Sequence, residues 1–164
     1  MKYLIIWVTM LPLVLAAIVY TAYRGDCCYA GAFLAQLIGE NAALQYMSST
    51  QNAISLSETN IYSLPSAMWV FSTTFISSRI VSQKPNSWKF LVLFPVLYAV
   101  VLEAMQFYTL TDGTYDPNDI LYAILGWTTA IIFSNAFDLS DRSVQFPSSV
   151  LAGFYAILIL ANGV

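Results

Sequence analysis

The chain contains no histidine at all. That absence removes every mechanism built on an imidazole: Ser-His-Asp and Cys-His nucleophiles, HExxH zinc sites and His proton relays. Charge is scarce as well, at 9% of the 164 residues, where a water-soluble domain carries about a quarter. Six Lys and Arg against nine Asp and Glu give a net charge of −3, which offers no basic surface to nucleic acid. Neither a Walker phosphate loop nor a GxGxxG dinucleotide fingerprint occurs. The two cysteines, Cys27 and Cys28, are adjacent, and consecutive residues do not readily adopt the Cα separation and side-chain directions of a disulfide. They read as small hydrophobes at a membrane surface, with a bridge between two copies as the functional alternative. Their spacing is not that of a zinc site.

What the chain has instead is apolar length, with 59% hydrophobic residues. About 20 apolar residues cross a bilayer, and five runs approach that, at 3–22, 64–81, 90–108, 119–137 and 147–162. The expected fold is an all-α membrane protein, one domain over 1–164 built as a bundle of about five transmembrane helices. The first run lacks the small-residue ending of a cleavable signal and reads as a retained helix kinked at Pro12. The region 24–62 is too interrupted to span; Leu34, Leu37, Ile38, Leu44 and Met47 suggest a surface helix, and 48–60 reads as loop. This region is expected to fold over the acidic hairpin described below. Ser63-Leu64-Pro65 reads as the opening of the second span, with Pro at a first helical position. Trp69 is expected near the outer interface, and Ser72, Thr73, Thr74, Ser77 and Ser78 as hydroxyls that bond back to their own helix or to a neighbour. Pro95 falls within the third span. With five spans, Lys2, Arg79, Lys84, Lys89 and Arg142 share one side and Arg24 lies on the other. The positive-inside rule then puts the N-terminus in the cytoplasm and 24–62, the acidic hairpin and the C-terminus outside.

The most informative stretch is 102–127, LEAMQFYTLTDGTYDPNDILYAILGW. Glu103 and Gln106, three residues apart, share a helix face. Asp112, Asp116 and Asp119 follow in a loop too short to carry them away. A charged carboxylate at the centre of a membrane helix costs roughly 2.5–3.5 kcal/mol, so Glu103 reads as functional unless it simply reaches out to headgroups and water. Asp116-Pro117-Asn118-Asp119 is a good helix start, with Asp as cap and Pro at the first position, and capping alone accounts for it. Capping does not account for Glu103 or Gln106. Several carboxylates around one hairpin repel unless one is protonated or a cation lies between them. Gly126 offers a place where a neighbouring helix comes close.

The order E-x-x-Q, then G-T-aromatic-D-x-x-D-I, then a Gly down the helix, resembles the VanZ-like family of small bacterial membrane proteins. Here it is Glu103, Gln106, Gly113, Thr114, Tyr115, Asp116, Asp119, Ile120 and Gly126. Leu64-Pro65 with Trp69 and Ser72 is similar to the start of the second helix in some members. The looser likeness covers 60–137 and leaves 27–59 outside it. Many members carry an Arg in the turn where this chain has Gly113-Thr114, and an Asn on the fourth helix where it has Tyr122-Ala123. The resemblance implies a multi-pass protein of the bacterial cytoplasmic (inner) membrane that affects the cell envelope, in a family named for an accessory role in resistance to the glycopeptide antibiotic teicoplanin.

Three functions compete. One is a binding protein that holds a lipid or lipid-linked envelope intermediate at Glu103, Gln106, Asp116 and Asp119, with Tyr115 and Tyr122 supplying hydroxyls to its headgroup. Another is an intramembrane enzyme with Glu103 or Asp119 as general base, or with Glu103, Asp116 and Asp119 holding Mg²⁺ or Ca²⁺, the cations that oxygen ligands suit. The last is a structural or assembly subunit, joining membrane-protein partners or a homo-oligomer, in which the cluster is a joint between helices. The lack of basic residues beside the cluster weighs against phosphoryl transfer without a metal.

Overall fold

A computed structural model describes residues 2–23, 29–82, 86–111 and 114–136. All of its regular structure is helical: α1 (Lys2–Tyr23), α2 (Tyr29–Ile38), α3 (Glu40–Ala53), α4 (Glu58–Val81), a 3-10 segment (Asn86–Val92), α5 (Phe94–Phe107) and α6 (Pro117–Ala136). The apolar run 147–162, both cysteines, Arg24, Lys84, Asp112, Gly113 and Arg142 lie outside the described residues.

α4 is the centre, packed against α1 on one flank and α6 on the other, with α5 completing a three-helix group with α4 and α6. α2 and α3 pack on α1 and on each other, and make no contact with α5 or α6. The helices of the region expected to cover the acidic hairpin thus pack on α1 rather than on α5 or α6. Gly39 separates α2 from α3 at φ +87°, a left-handed conformation that glycine adopts without a Cβ clash. Residues 48–53, expected as loop, instead complete α3.

α4 begins earlier than its proline suggests. Ser57 is the cap, its side chain accepting from the Asn60 N–H at 3.4 Å, and Glu58 in the first turn favours the helix dipole. Pro65 lies inside the helix and fully buried, so the Ser-Leu-Pro string mimics a start that the chain makes two turns earlier. At the third apolar run the correction has the opposite sign. The helix proper starts at Phe94, with Pro95 in its first turn where a missing N–H costs nothing. The residues before it form the 3-10 segment.

Ser72, Thr73, Thr74 and Ser77 are buried on α4, and Thr73 Oγ1 bonds back to the Trp69 carbonyl at 2.7 Å. On α6 the buried residues are Ala123, Gly126, Ala130 and Ser134. A Cβ added to Gly126 would overlap the Ala67 carbonyl oxygen and stand 3.0 Å from Ala67 Cα, so α4 and α6 approach to backbone contact there. Large apolar side chains point outward instead, among them Trp7, Leu11 and Val14 on α1, Leu97 and Val101 on α5, and Leu121, Leu125 and Ile132 on α6. Two stretches, Ile6–Tyr23 and Pro117–Ala136, are long and apolar enough to cross a membrane, and α5 is a shorter apolar helix. α4 has the length, but its hydroxyls and Arg79 lower its hydropathy. Trp69 is half-buried, packs on the Val70–Ala99–Ala123 core and meets Tyr98 edge-on at 5.9 Å.

Candidate functional site

Three pairings fix how α4 and α6 run. Asn60 meets Tyr122, Ala67 meets Gly126 and Phe71 meets Phe133, so the two helices are parallel and share an upper end where both begin. α5 runs the other way and finishes there. Glu103 lies one turn above Ala99 and Asp119 one turn above Ala123, so both stand directly over the apolar layer of Val70, Ala99 and Ala123.

The return of the chain from α5 is made by a tight cap. The Leu110 N–H donates to the Met105 carbonyl at 2.9 Å and the Thr109 N–H to that of Gln106 at 2.9 Å, a Schellman arrangement. Its left-handed position, φ 55°, is filled by Thr109, a β-branched residue where glycine is usual. That substitution stores about 1–2 kcal/mol of backbone strain next to the acidic hairpin. The chain then comes back over α5. The Asp116 N–H donates to Glu103 Oε2 at 3.1 Å, and Glu103 is 6% exposed.

Asp116 caps α6 as its place before Pro117 predicts, with Oδ1 accepting from both the Asn118 N–H and Asn118 Nδ2 at 2.9 Å. The Asp116 carboxylate is therefore engaged in the cap, and only its backbone reaches Glu103. Asp119, one turn above Ala123 on α6, is the carboxyl beside Glu103, and like charges so placed repel. Gln106, a turn further up α5, has its Oε1 buried without a hydrogen-bond partner. The Tyr122 hydroxyl donates to Asn60 Oδ1 at 2.6 Å. Tyr115 is 40% exposed, its ring edge-on to Phe107 at 5.2 Å.

The structure thus brings Glu103, Asp119 and the Asp116 backbone together and places Gln106 and Tyr122 beside them. Among the described residues no group of three or more His, Cys, Asp or Glu is arranged to hold a metal ion. Of the three carboxyl groups expected to hold a divalent cation, Asp116 directs its Oδ1 to Asn118. No family model, curated protein or solved structure matches the chain. The VanZ-like resemblance rests on the residues quoted above and on nothing else.

Sequence reading missed Asn60, which fell in a stretch taken as loop. The available signal was Ser57-Glu58-Thr59-Asn60: a capping Ser with an acid in the next position starts a helix there and turns Asn60 toward α6. It also missed Ser63, which is fully buried with no hydrogen-bond partner for Oγ. Ser63 lies about one turn below Asn60 and one above Ala67, on the stripe that faces Tyr122 and Gly126. That puts it at the level of Asp119 to Ala123.

Proposed function

We propose that this chain is a VanZ-like multi-pass protein of the bacterial cytoplasmic membrane. In this reading the layer formed by Glu103, Gln106 and Asp119 binds the headgroup of a lipid or lipid-linked envelope intermediate on the extracytoplasmic side. The observation that carries the proposal is the burial of Glu103, at 6% exposure, in a largely apolar helix whose outward face is Leu97, Val101 and Phe107. A carboxyl there destabilises the helix bundle relative to leucine unless it does something leucine does not.

The membrane setting draws support from the distribution of side chains. Ala, Ser and Thr make up most of the interior, around Val70, Phe75, Ile76 and Arg79, and many large apolar side chains cover the outside, an arrangement by which helices associate in lipid. Five spans, with 64–81, 90–108 and 147–162 joining the two long apolar helices and the N-terminus in the cytoplasm, put five of the six basic residues on one side. A role in the envelope, including response to teicoplanin, is what the family resemblance adds.

A second reading has its own observation. The 3.1 Å bond from the Asp116 N–H to Glu103 ties α5 to the start of α6, as a purely structural joint would. Glu103→Gln and Asp119→Asn separate the two readings, since both keep shape and most hydrogen bonding. Under the binding reading each variant expresses and melts nearly as the parent does, but fails to complement an envelope phenotype in a deletion strain. Full complementation with a lowered melting temperature establishes the joint instead.

A further inference from the structure

Threonines on these helices behave in two ways. Thr21, Thr73, Thr128 and Thr129 each turn Oγ1 back to the carbonyl four residues earlier in their own helix, at 2.7–2.8 Å. Thr74, next to Thr73 on α4, does not. Its hydroxyl is fully buried and bonds neither to its own helix nor to a neighbour. A helical threonine divides between a rotamer that reaches that carbonyl and one that does not, so Thr74 gives up a bond that its neighbour makes.

Two more hydroxyls share its surroundings. Ser78 follows one turn along α4, and Ser134 on α6 is 8% exposed; the Oγ of each is buried without a partner. The register of the seam brings the three together. Counted from the contact of Ala67 with Gly126, Thr74 lies two turns down α4 and Ser134 just over two turns down α6, roughly 10 and 12 Å along parallel helices. Both continue the stripes that meet at that contact, Ala67 and Thr74 on one helix and Gly126, Ala130 and Ser134 on the other. The apolar level of Val70, Ala99 and Ala123 separates this place from the upper layer of Glu103, Gln106 and Asp119.

We propose that the lower end of the α4–α6 seam binds one internal water molecule, held by the hydroxyls of Thr74, Ser78 and Ser134 and joining the two helices. A buried water makes about three hydrogen bonds to polar groups that the fold leaves unmatched. Three hydroxyls, each able to donate and to accept, satisfy a water whichever way it turns. Buried hydroxyls that bonded nothing would destabilise the seam relative to Val or Ala at the same positions. Bound to a shared water they stabilise it instead.

The test is thermal unfolding of the full-length protein in neutral detergent, with helical content and monodispersity of each variant checked first. Thr74→Val keeps the side-chain shape and removes the hydroxyl. It and Ser134→Ala are each expected to lower the melting temperature by about 2–4 °C, as loss of one net hydrogen bond does in a chain of this size. The double variant should fall by less than the sum, because both single changes release the same molecule. Ser78→Ala should couple to each of them in the same way. A rise or no change in Thr74→Val overturns the water, since removing a hydroxyl that bonds nothing relieves the fold. Additive falls overturn it too, and coupling confined to Thr74 and Ser134 replaces it with a direct bond between them. The series is repeated with sodium, potassium or N-methylglucamine as the sole cation. Equal shifts in all three are expected, and shifts that vanish in the bulky organic cation overturn the water in favour of a bound metal ion.

Discussion

The two flanks of α4 are held in different ways. On the α1 side the polar ties are those a helix end requires. Gln51 Nε2 donates to the Ala22 carbonyl at 2.7 Å, the Tyr23 hydroxyl donates to the Ile54 carbonyl, and the Thr21 and Tyr46 hydroxyls meet at 3.3 Å. The Ala22 carbonyl belongs to the last described turn of α1, and Gln51 supplies a donor to it. On the α6 side the special features answer no such need. A buried carboxyl in an apolar helix, a left-handed Thr109 and a glycine pressed on a neighbouring backbone each go against the local rules of helix packing. Groups that break local rules where nothing in the architecture asks for them are where function is to be sought.

The largest effect is expected at the seam of the α6 flank. Gly126→Val places a branched side chain where even a Cβ would overlap the Ala67 carbonyl, and backbone does not yield as a side-chain end does. The helices must separate, at a cost of about 3 kcal/mol. Thermal unfolding in detergent should show a marked drop in melting temperature. The same substitution at Thr128, which is exposed on α6, should be nearly silent, and equal effects at both positions would break the distinction between seam and outer face.

Next comes the Asn60–Tyr122 bond, which joins α4 to α6 at the upper end. At 2.6 Å between partly buried groups, its loss in Tyr122→Phe is expected to lower stability by about 1.5 kcal/mol. Asn60→Ala added to that variant should cost little more, and the double-mutant cycle should return a coupling of about 1 kcal/mol. Additive single effects would mean that the two side chains act independently and that the upper layer is not braced by this pair.

Much of the α6 flank was legible because its signals are local. Asp116 before Pro117 fixed the start of α6, Gly126 marked the close approach, and the short loop after Glu103 guaranteed that Asp119 would return near it. What was misread depended on distant packing. Ser63-Leu64-Pro65 imitates a helix start, yet Pro65 lies buried inside α4, which Ser57 caps two turns earlier. The break at Leu93 was hidden because residues on both sides of it are apolar, although Pro95 was a fair sign of a first turn. Asp116 reads as one of three like carboxylates, whereas its Oδ1 is taken by its own cap. The helices of 24–62 lie on α1, where Gln51 of α3 donates to the Ala22 carbonyl, a match that hydropathy does not reveal.

The smallest effect is expected on the α1 flank, and it completes the contrast. Gln51→Ala removes the donor to the Ala22 carbonyl, but Gln51 is itself exposed, so water can take its place at that carbonyl. A loss of about 0.5 kcal/mol follows from exchanging a protein hydrogen bond for a hydrated one. Because α3 touches neither α5 nor α6, lipid retention at the Glu103 layer should be the same in Gln51→Ala as in the parent. A variant that melted normally but lost lipid retention would show that α3 communicates with the upper layer through α1 and α4. The two flanks would then be one functional unit rather than a brace and a site.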